Sequence, residues 1–146
     1  MSSSPYLDTS ALAKWFFVEA KSDAFERFMI DSGRAAVTPL ARLELRSLIV
    51  RRLRSKEIDE AYAADVVSLF EELRVQRVLV VHPILDEDFV AAEGLIRRVA
   101  DHAPLRTLDA LHLAAAGRIG VRIFATADRA LARAAKAANF DVVRFD

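Results

Sequence analysis

Short apolar runs alternate with longer stretches of helical periodicity along almost the whole of this chain. "SPYL", leading up to Asp8, reads as a first strand, and "TSALAKWFFVEA" reads as a helix that Thr9 or Ser10 could cap. "SDAFERFMIDSG" follows as a second helix, with Ser22 or Asp23 as cap, Phe25, Phe28 and Met29 on one side, and Gly33 as the stop. "AAVT" is a short strand, and the fixed φ of Pro39 suits the first turn of the next helix, "LARLELRSLIVRRLRS". A helix from about Ile58 to Arg74 returns along it, and "RVLVVHP" is a third strand ending at Pro83. Helices near Asp86 to Asp101 and Leu105 to Arg118 precede two further strands, "RIFATAD" and "DVVRF", which flank the helix "RALARAAKAANF". Strands separated by helices require right-handed crossovers, so the expected fold is α/β: a mostly parallel sheet of about five strands with helices on both faces. No repeat, low-complexity tract or linker divides residues 1–146, and 146 residues suffice for one domain with a real core.

A parallel sheet of this kind binds ligands beyond the carboxyl ends of its strands. Asp8 stands at the end of the first strand, and Thr126 and Asp128 follow the fourth. Two more acids lie on helices. At about 100° per residue, Glu44 in "PLARLELRSLIV" points between Leu40 and Leu48 and near Leu43. Asp109 in "LRTLDALHLA" falls near the middle of an arc formed by Leu105, Leu108, His112 and Ala116. Both acids thus sit early in a helix on its apolar side.

A buried carboxylate must be neutralised, hydrogen-bonded or coordinated. Four of them around one point would repel by roughly 3 kcal/mol per pair at ~5 Å and an effective dielectric near 20. A divalent cation removes that conflict, and all-oxygen ligation selects Mg²⁺ or Mn²⁺. Such an ion can activate a water to attack a phosphodiester, which is nuclease chemistry. Each acid also has a purely structural use. Asp8 and Asp128 could be helix N-caps, Glu44 could pair with Arg42, Arg46 or Arg51, and Asp109 could bond to Arg106 or His112. Those uses leave unexplained why all four fall at or just beyond strand ends.

The chain has no cysteine, which excludes disulfides, thiolate metal sites and a cysteine nucleophile. Its start lacks a basic segment before an apolar run, and no stretch approaches the ~20 apolar residues of a membrane span, so a cytoplasmic protein without membrane contact is expected. Acidic and basic residues balance at 21 each, but only four of the bases are lysine. Arginines cluster at Arg42, Arg46, Arg51, Arg52 and Arg54, and again at Arg97 and Arg98. They serve either as phosphate contacts or as solvated helix faces paired with nearby acids.

"YLDTSALAKWFFVE", "TPLARLEL", "LRTLDALHLAAA" and "IFATADRAL" resemble, in order and separation, the signature blocks of the PIN-domain family, in particular the VapC-type toxins of toxin–antitoxin pairs. The resemblance covers nearly the whole chain from Tyr6 onward, and only "TPLARLEL" departs from the pattern, at Pro39 and Leu40, where small polar residues are usual. It implies a three-layer α/β/α domain and a metal-dependent endoribonuclease acting on RNA. Carried over, the acidic quartet falls on Asp8, Glu44, Asp109 and Asp128, with direct Mg²⁺ or Mn²⁺ coordination by Asp8 and Asp109. Glu44 and Asp128 would bind a second ion or orient the attacking water, and the hydroxyls of Ser10 and Thr126 would support the carboxylates or a phosphate. The resemblance further implies a homodimer and a VapB-like antitoxin partner.

Secondary expectations follow from single residues. Trp15, Phe16 and Phe17 are adjacent and are expected mainly in core packing, and His112 as a packed histidine bonded to a neighbour. Leu45 and Ile49 project roughly opposite Leu40, so the Glu44 helix is expected to be buried twice, by its own sheet and by another chain. Two other readings stand beside the nuclease: a catalytically idle PIN-like scaffold, and a receiver-type Mg²⁺-binding signalling module. The receiver is disfavoured, because His82 and Pro83 follow the "VLVV" run and no lysine follows the fourth strand.

Overall fold

The computed structural model describes residues 4–146. Five short strands, β1 (Tyr6–Leu7), β2 (Ala35–Val37), β3 (Leu79–Val81), β4 (Ile123–Thr126) and β5 (Asp141–Arg144), form one sheet in the order β3-β2-β1-β4-β5. Every neighbouring pair is parallel, with Tyr6 opposite both Ala36 and Phe124. The helices are α1 (Thr9–Phe16), α2 (Ser22–Ser32), α3 (Pro39–Arg54), α4 (Glu60–Val75), α5 (Asp86–Arg98), α6 (Thr107–Ile119) and α7 (Arg129–Ala137). The chain winds outward from β1 through β2 to β3, then resumes on the other side at β4. Strand order therefore reverses between β1 and β4, and their carboxyl ends flank the crevice that such a reversal opens.

Alternation along the strands divides the core into two layers. Leu7, Ala35, Val37 and Ala125 face helices α1 to α4, where Leu12, Phe16, Phe25, Leu45, Ile49 and Phe70 fill the space. Tyr6, Ala36 and Phe124 face α5 to α7, where Leu95, Val99, Leu111, Leu113 and Leu131 close over them. Both layers are buried, so the strands carry apolar residues on consecutive positions.

Several boundaries differ from expectation for identifiable reasons. Helix α1 stops at Phe16, four residues short of Ala20, because Phe17 is extended at φ −124°, ψ 141°. That turn lets Phe16 and Phe17 both point inward, although neighbouring residues of a continuing helix diverge; Trp15 packs edge-on against Phe25. The Ser22 hydroxyl closes the turn, donating to the Phe17 carbonyl at 3.0 Å and accepting from the Glu19 amide at 3.0 Å. Ser22 thus does not cap α2, whose N-cap is Lys21 without a side-chain bond; Gly33 ends that helix at φ +76°, a positive φ that glycine adopts at no steric cost. Pro39 occupies the first turn of α3 as expected.

Two orientations need correction. On α3 the buried residues are Ala41, Leu45 and Ile49, so the stripe expected to meet another chain is the one that meets this chain's own core, while Leu43 is 67% exposed. On α6 burial runs without a break from Ala110 to Ala116, and Leu108 is 43% exposed instead of facing the sheet. The expected arcs were each rotated by about one residue. Among the described residues no helix is long and apolar enough to cross a membrane.

Candidate active site

Asp8 ends β1 and begins α1. It caps that helix, its Oδ1 accepting from the Ala11 amide at 2.9 Å, and it is 4% exposed. The Thr126 hydroxyl donates to Oδ2 at 2.7 Å, and the Ser10 hydroxyl lies 2.8 Å from both oxygens. Those hydroxyls are themselves held by the backbone beyond β4: Asp128 N–H donates to Thr126 Oγ1 at 3.0 Å, and Ala127 N–H donates to Ser10 Oγ at 2.8 Å. Ser10 and Thr126 therefore brace Asp8 against the end of β4, across the crevice. Burial pushes the Asp8 carboxyl up to about 6, against the pull of the Thr126 bond, the His112 ring and the Ala11 and Ser10 donors.

Glu44 reaches the same edge from the second turn of α3 and pairs with none of the arginines on its helix. Its Oε1 accepts from the Thr9 hydroxyl at 2.9 Å and lies 2.6 Å from His112 Nε2. His112, 1% exposed, has its Nδ1 2.6 Å from the Tyr6 hydroxyl, which lies 3.2 Å from Thr38 Oγ1. A carboxylate only accepts, so Nε2 must carry a proton. Burial raises the Tyr6 phenol well above its usual range, so it keeps its proton and donates to Nδ1. The network then runs in one direction, from Thr38 through Tyr6 and His112 to Glu44, with every buried polar atom satisfied. Burial works against ionisation of Glu44, but the bond from His112, then that from Thr9 and the charge of Arg106, outweigh it and hold its carboxyl below the usual value. Both bonds fall on Oε1.

Asp109 and Asp128 meet through an arginine. Arg106 Nε donates to Asp109 Oδ2 at 3.1 Å, and its Nη2 donates to Asp128 Oδ2 at 3.1 Å. Asp128 meanwhile caps α7, its Oδ1 accepting from the Leu131 amide at 3.0 Å. Burial raises the Asp109 carboxyl, the Arg106 contact opposes this, and neighbouring Asp128 reinforces it. The cap uses proposed for Asp8 and Asp128 are thus both realised, and each still has one oxygen turned elsewhere.

The donor chemistry fits a hard cation: carboxylates and hydroxyls, no sulfur, and one cation, Arg106, already drawn between two of the acids. As the side chains stand, no three acidic or histidine groups among the described residues converge closely enough to hold an ion. Arg106 is 78% exposed, so withdrawing it from Asp109 and Asp128 uncovers no core. The sequence pattern placed all four acids at this edge, but it did not foresee three supporting groups. In the sequence Tyr6 reads only as a strand residue, Thr9 only as a cap, and Arg106 as a partner of Asp109 but not of Asp128. His112 was expected to bond a neighbour, and its neighbours are Glu44 and Tyr6, not Asp109.

Residues 6–137 match the sequence model of the PIN domain. Comparison with curated protein sequences finds no match. Among solved structures, the chain is similar to VapC20 of Mycobacterium tuberculosis, a sarcin–ricin-loop-cleaving toxin, at a TM-score of 0.71 and 17% identity, covering 97% of this chain and 99% of that one. It is also similar to a chain of DNA-bound VapBC from Salmonella typhimurium, at a TM-score of 0.66 and 15% identity over 99% of this chain and 100% of that one. FitAcB from Neisseria gonorrhoeae aligns at a TM-score of 0.66 and 15% identity, over 96% of both chains.

Proposed function

Since the chain belongs to the PIN-domain family, we propose that it is a metal-dependent endoribonuclease, the toxin of a toxin–antitoxin pair, with Asp8, Glu44, Asp109 and Asp128 as its acidic quartet. The observation that carries the reading is the arrival of these four acids, from β1, α3, α6 and the end of β4, at the crevice where strand order reverses. Mg²⁺ or Mn²⁺ bound by this set would supply an activated water and neutralise charge developing on the scissile phosphate.

The chain's own residues prepare that chemistry. Ser10 and Thr126 fix both oxygens of Asp8, so its orientation is set before any ligand arrives. His112 and Thr9 hold Glu44 by one oxygen and keep it ionised, ready to accept a proton or orient a nucleophile with the other. Arg106 bridges Asp109 and Asp128 and offsets one of their two charges, and once displaced its guanidinium would be free to meet a phosphate oxygen. The fold shared with VapC20 and with VapBC and FitAcB supports the toxin role and a VapB-like antitoxin as partner. A homodimer and a cytoplasmic setting belong to the same reading.

The test is incubation of the purified protein with structured RNA and Mg²⁺ or Mn²⁺, with and without chelator. Cleavage should depend on the metal and be lost in Asp8→Asn and in Asp109→Asn, with circular dichroism unchanged. Undiminished cleavage by both variants would remove the site assignment, and absence of cleavage under every condition would favour the idle scaffold.

A further inference from the structure

The crevice does not end at the acids. A groove of about 370 Å³ leads away from them between α1 and α3, lined at its near end by Thr9, Ser10 and Glu44 and at its far end by Lys14, Arg51 and Arg52. Ser10, Ala13 and Lys14 share one face of α1, and Glu44, Leu48 and Arg51 share one face of α3, so the two helices carry the same polarity, acid toward the sheet edge and base away from it. At 1.5 Å per residue, Lys14 lies about 6 Å along α1 from Ser10, and Arg51 about 10 Å along α3 from Glu44.

The cations in this groove are not equivalent. Arg52 is consumed: it donates to Glu19 at 3.2 Å, reaches Glu57 at 3.7 Å and lies 4.3 Å over the Phe17 ring. It thereby also partly offsets Glu19, the acid of the groove's far end. Lys14 and Arg51 make no ion pair among the described residues. Arg42, nearby on α3, is likewise engaged, with Glu71 at 2.9 Å and with Phe70. In the arginine cluster legible in the sequence, Arg42 and Arg52 are engaged, Arg46, Arg51 and Arg54 make no ion pair among the described residues, and of these three only Arg51 lines the groove beside Glu44.

We propose that this groove binds a phosphodiester adjacent to the scissile one on single-stranded RNA, with Lys14 and Arg51 as its contacts; the proposal rests on the nuclease reading and names where its substrate runs. A site built from four carboxylates repels the polyanion it must cut. Cations within about a Debye length of 8–10 Å counter that repulsion and set the direction in which the strand leaves. An extended acidic peptide is the other occupant such charges could take, but it would have no reason to continue onto Glu44 and Asp8, whereas a nucleic acid must.

The experiment measures binding, not cleavage. A fluorescently labelled single-stranded RNA is titrated with the protein in chelator at increasing NaCl, followed by anisotropy. The comparison is between wild type, Lys14→Gln/Arg51→Gln, and the control Arg97→Gln/Arg98→Gln on the exposed face of α5. The groove variant should lower the slope of log affinity against log salt by about 1.4, at ~0.7 per lost phosphate contact, and the control should leave it unchanged. All four side chains lack ion-pair partners among the described residues, so melting temperature should not move in either variant. An unchanged slope in the groove variant, or an equal fall in the control, overturns the proposal. So does a groove variant that binds RNA normally but loses binding of polyglutamate, which would make the occupant an acidic peptide. A chain that cleaves RNA in Mn²⁺ while the groove variant keeps its slope loses only this proposal; a chain that neither binds nor cleaves RNA loses the nuclease reading with it.

Discussion

Replacing Asp8 with asparagine should stabilise the metal-free protein at neutral pH, although it removes the most buried of the four acids. The carboxyl is almost wholly buried, and its folded-state value of about 6 stands against an ordinary value of 3.8. The folded state therefore holds the proton more tightly than the unfolded state. Stability that is fully present below about pH 4 is lost as pH rises through 6. A shift of about 2 units corresponds to about 3 kcal/mol. Asparagine keeps an oxygen for the Ala11 amide and presents its NH₂ to the hydroxyls of Ser10 and Thr126, which can turn to accept. Imperfect rearrangement reduces the gain to about 1–3 kcal/mol. Urea denaturation in chelator at several pH values measures it. Asp8→Asn should exceed wild type at pH 8, and the difference should shrink as pH falls toward 4. Adding Mn²⁺ should then stabilise wild type and not the variant, narrowing or reversing the order. A variant less stable than wild type by the same amount at pH 5 and pH 8 would refute the reasoning, because Asp8 would then be acting only as a cap.

Two further outcomes follow from the supporting residues. His112→Ala takes one partner from the buried Tyr6 hydroxyl and one from the half-buried Glu44 Oε1 and leaves a cavity, so it should cost about 2–5 kcal/mol in denaturation, and RNA cleavage should fall; His112→Gln should recover more of both than alanine does. Arg106→Ala should tighten Mn²⁺ binding, read by isothermal titration, by at most about fivefold, since an exposed ion pair contributes no more than about 1 kcal/mol; weaker binding would show that Arg106 assists the ion instead of competing with it.

The acids that the sequence singled out reach the crevice by routes that local pattern can follow. Asp8 and Asp128 sit one or two residues past strands, where any parallel sheet puts its carboxyl ends. Glu44 and Asp109 follow helix starts, and Pro39 marked one of those starts. Finer orientation was beyond reach, because a helix with apolar residues on most sides admits several faces: Leu43 and Leu108 are expected inward and are exposed, while Leu45 and Ile49 are inward. The early end of α1 was equally hidden, since it depends on Phe17 finding a pocket between α3 and α4 that exists only once those helices have docked.

From the sequence alone follow the α/β class, the alternation of strands and helices, the absence of thiol chemistry, and the gathering of four acids at one edge, because each depends on periodicity or on position relative to a strand end. The partners of those acids were decided by the tertiary structure. Glu44 and His112 are 68 residues apart, Asp8 and Thr126 are 118 apart, and Arg106 joins Asp128 across 22. No local spacing encodes such meetings; they arise from the order β3-β2-β1-β4-β5, which sets β4 beside β1 and brings α6 over Tyr6.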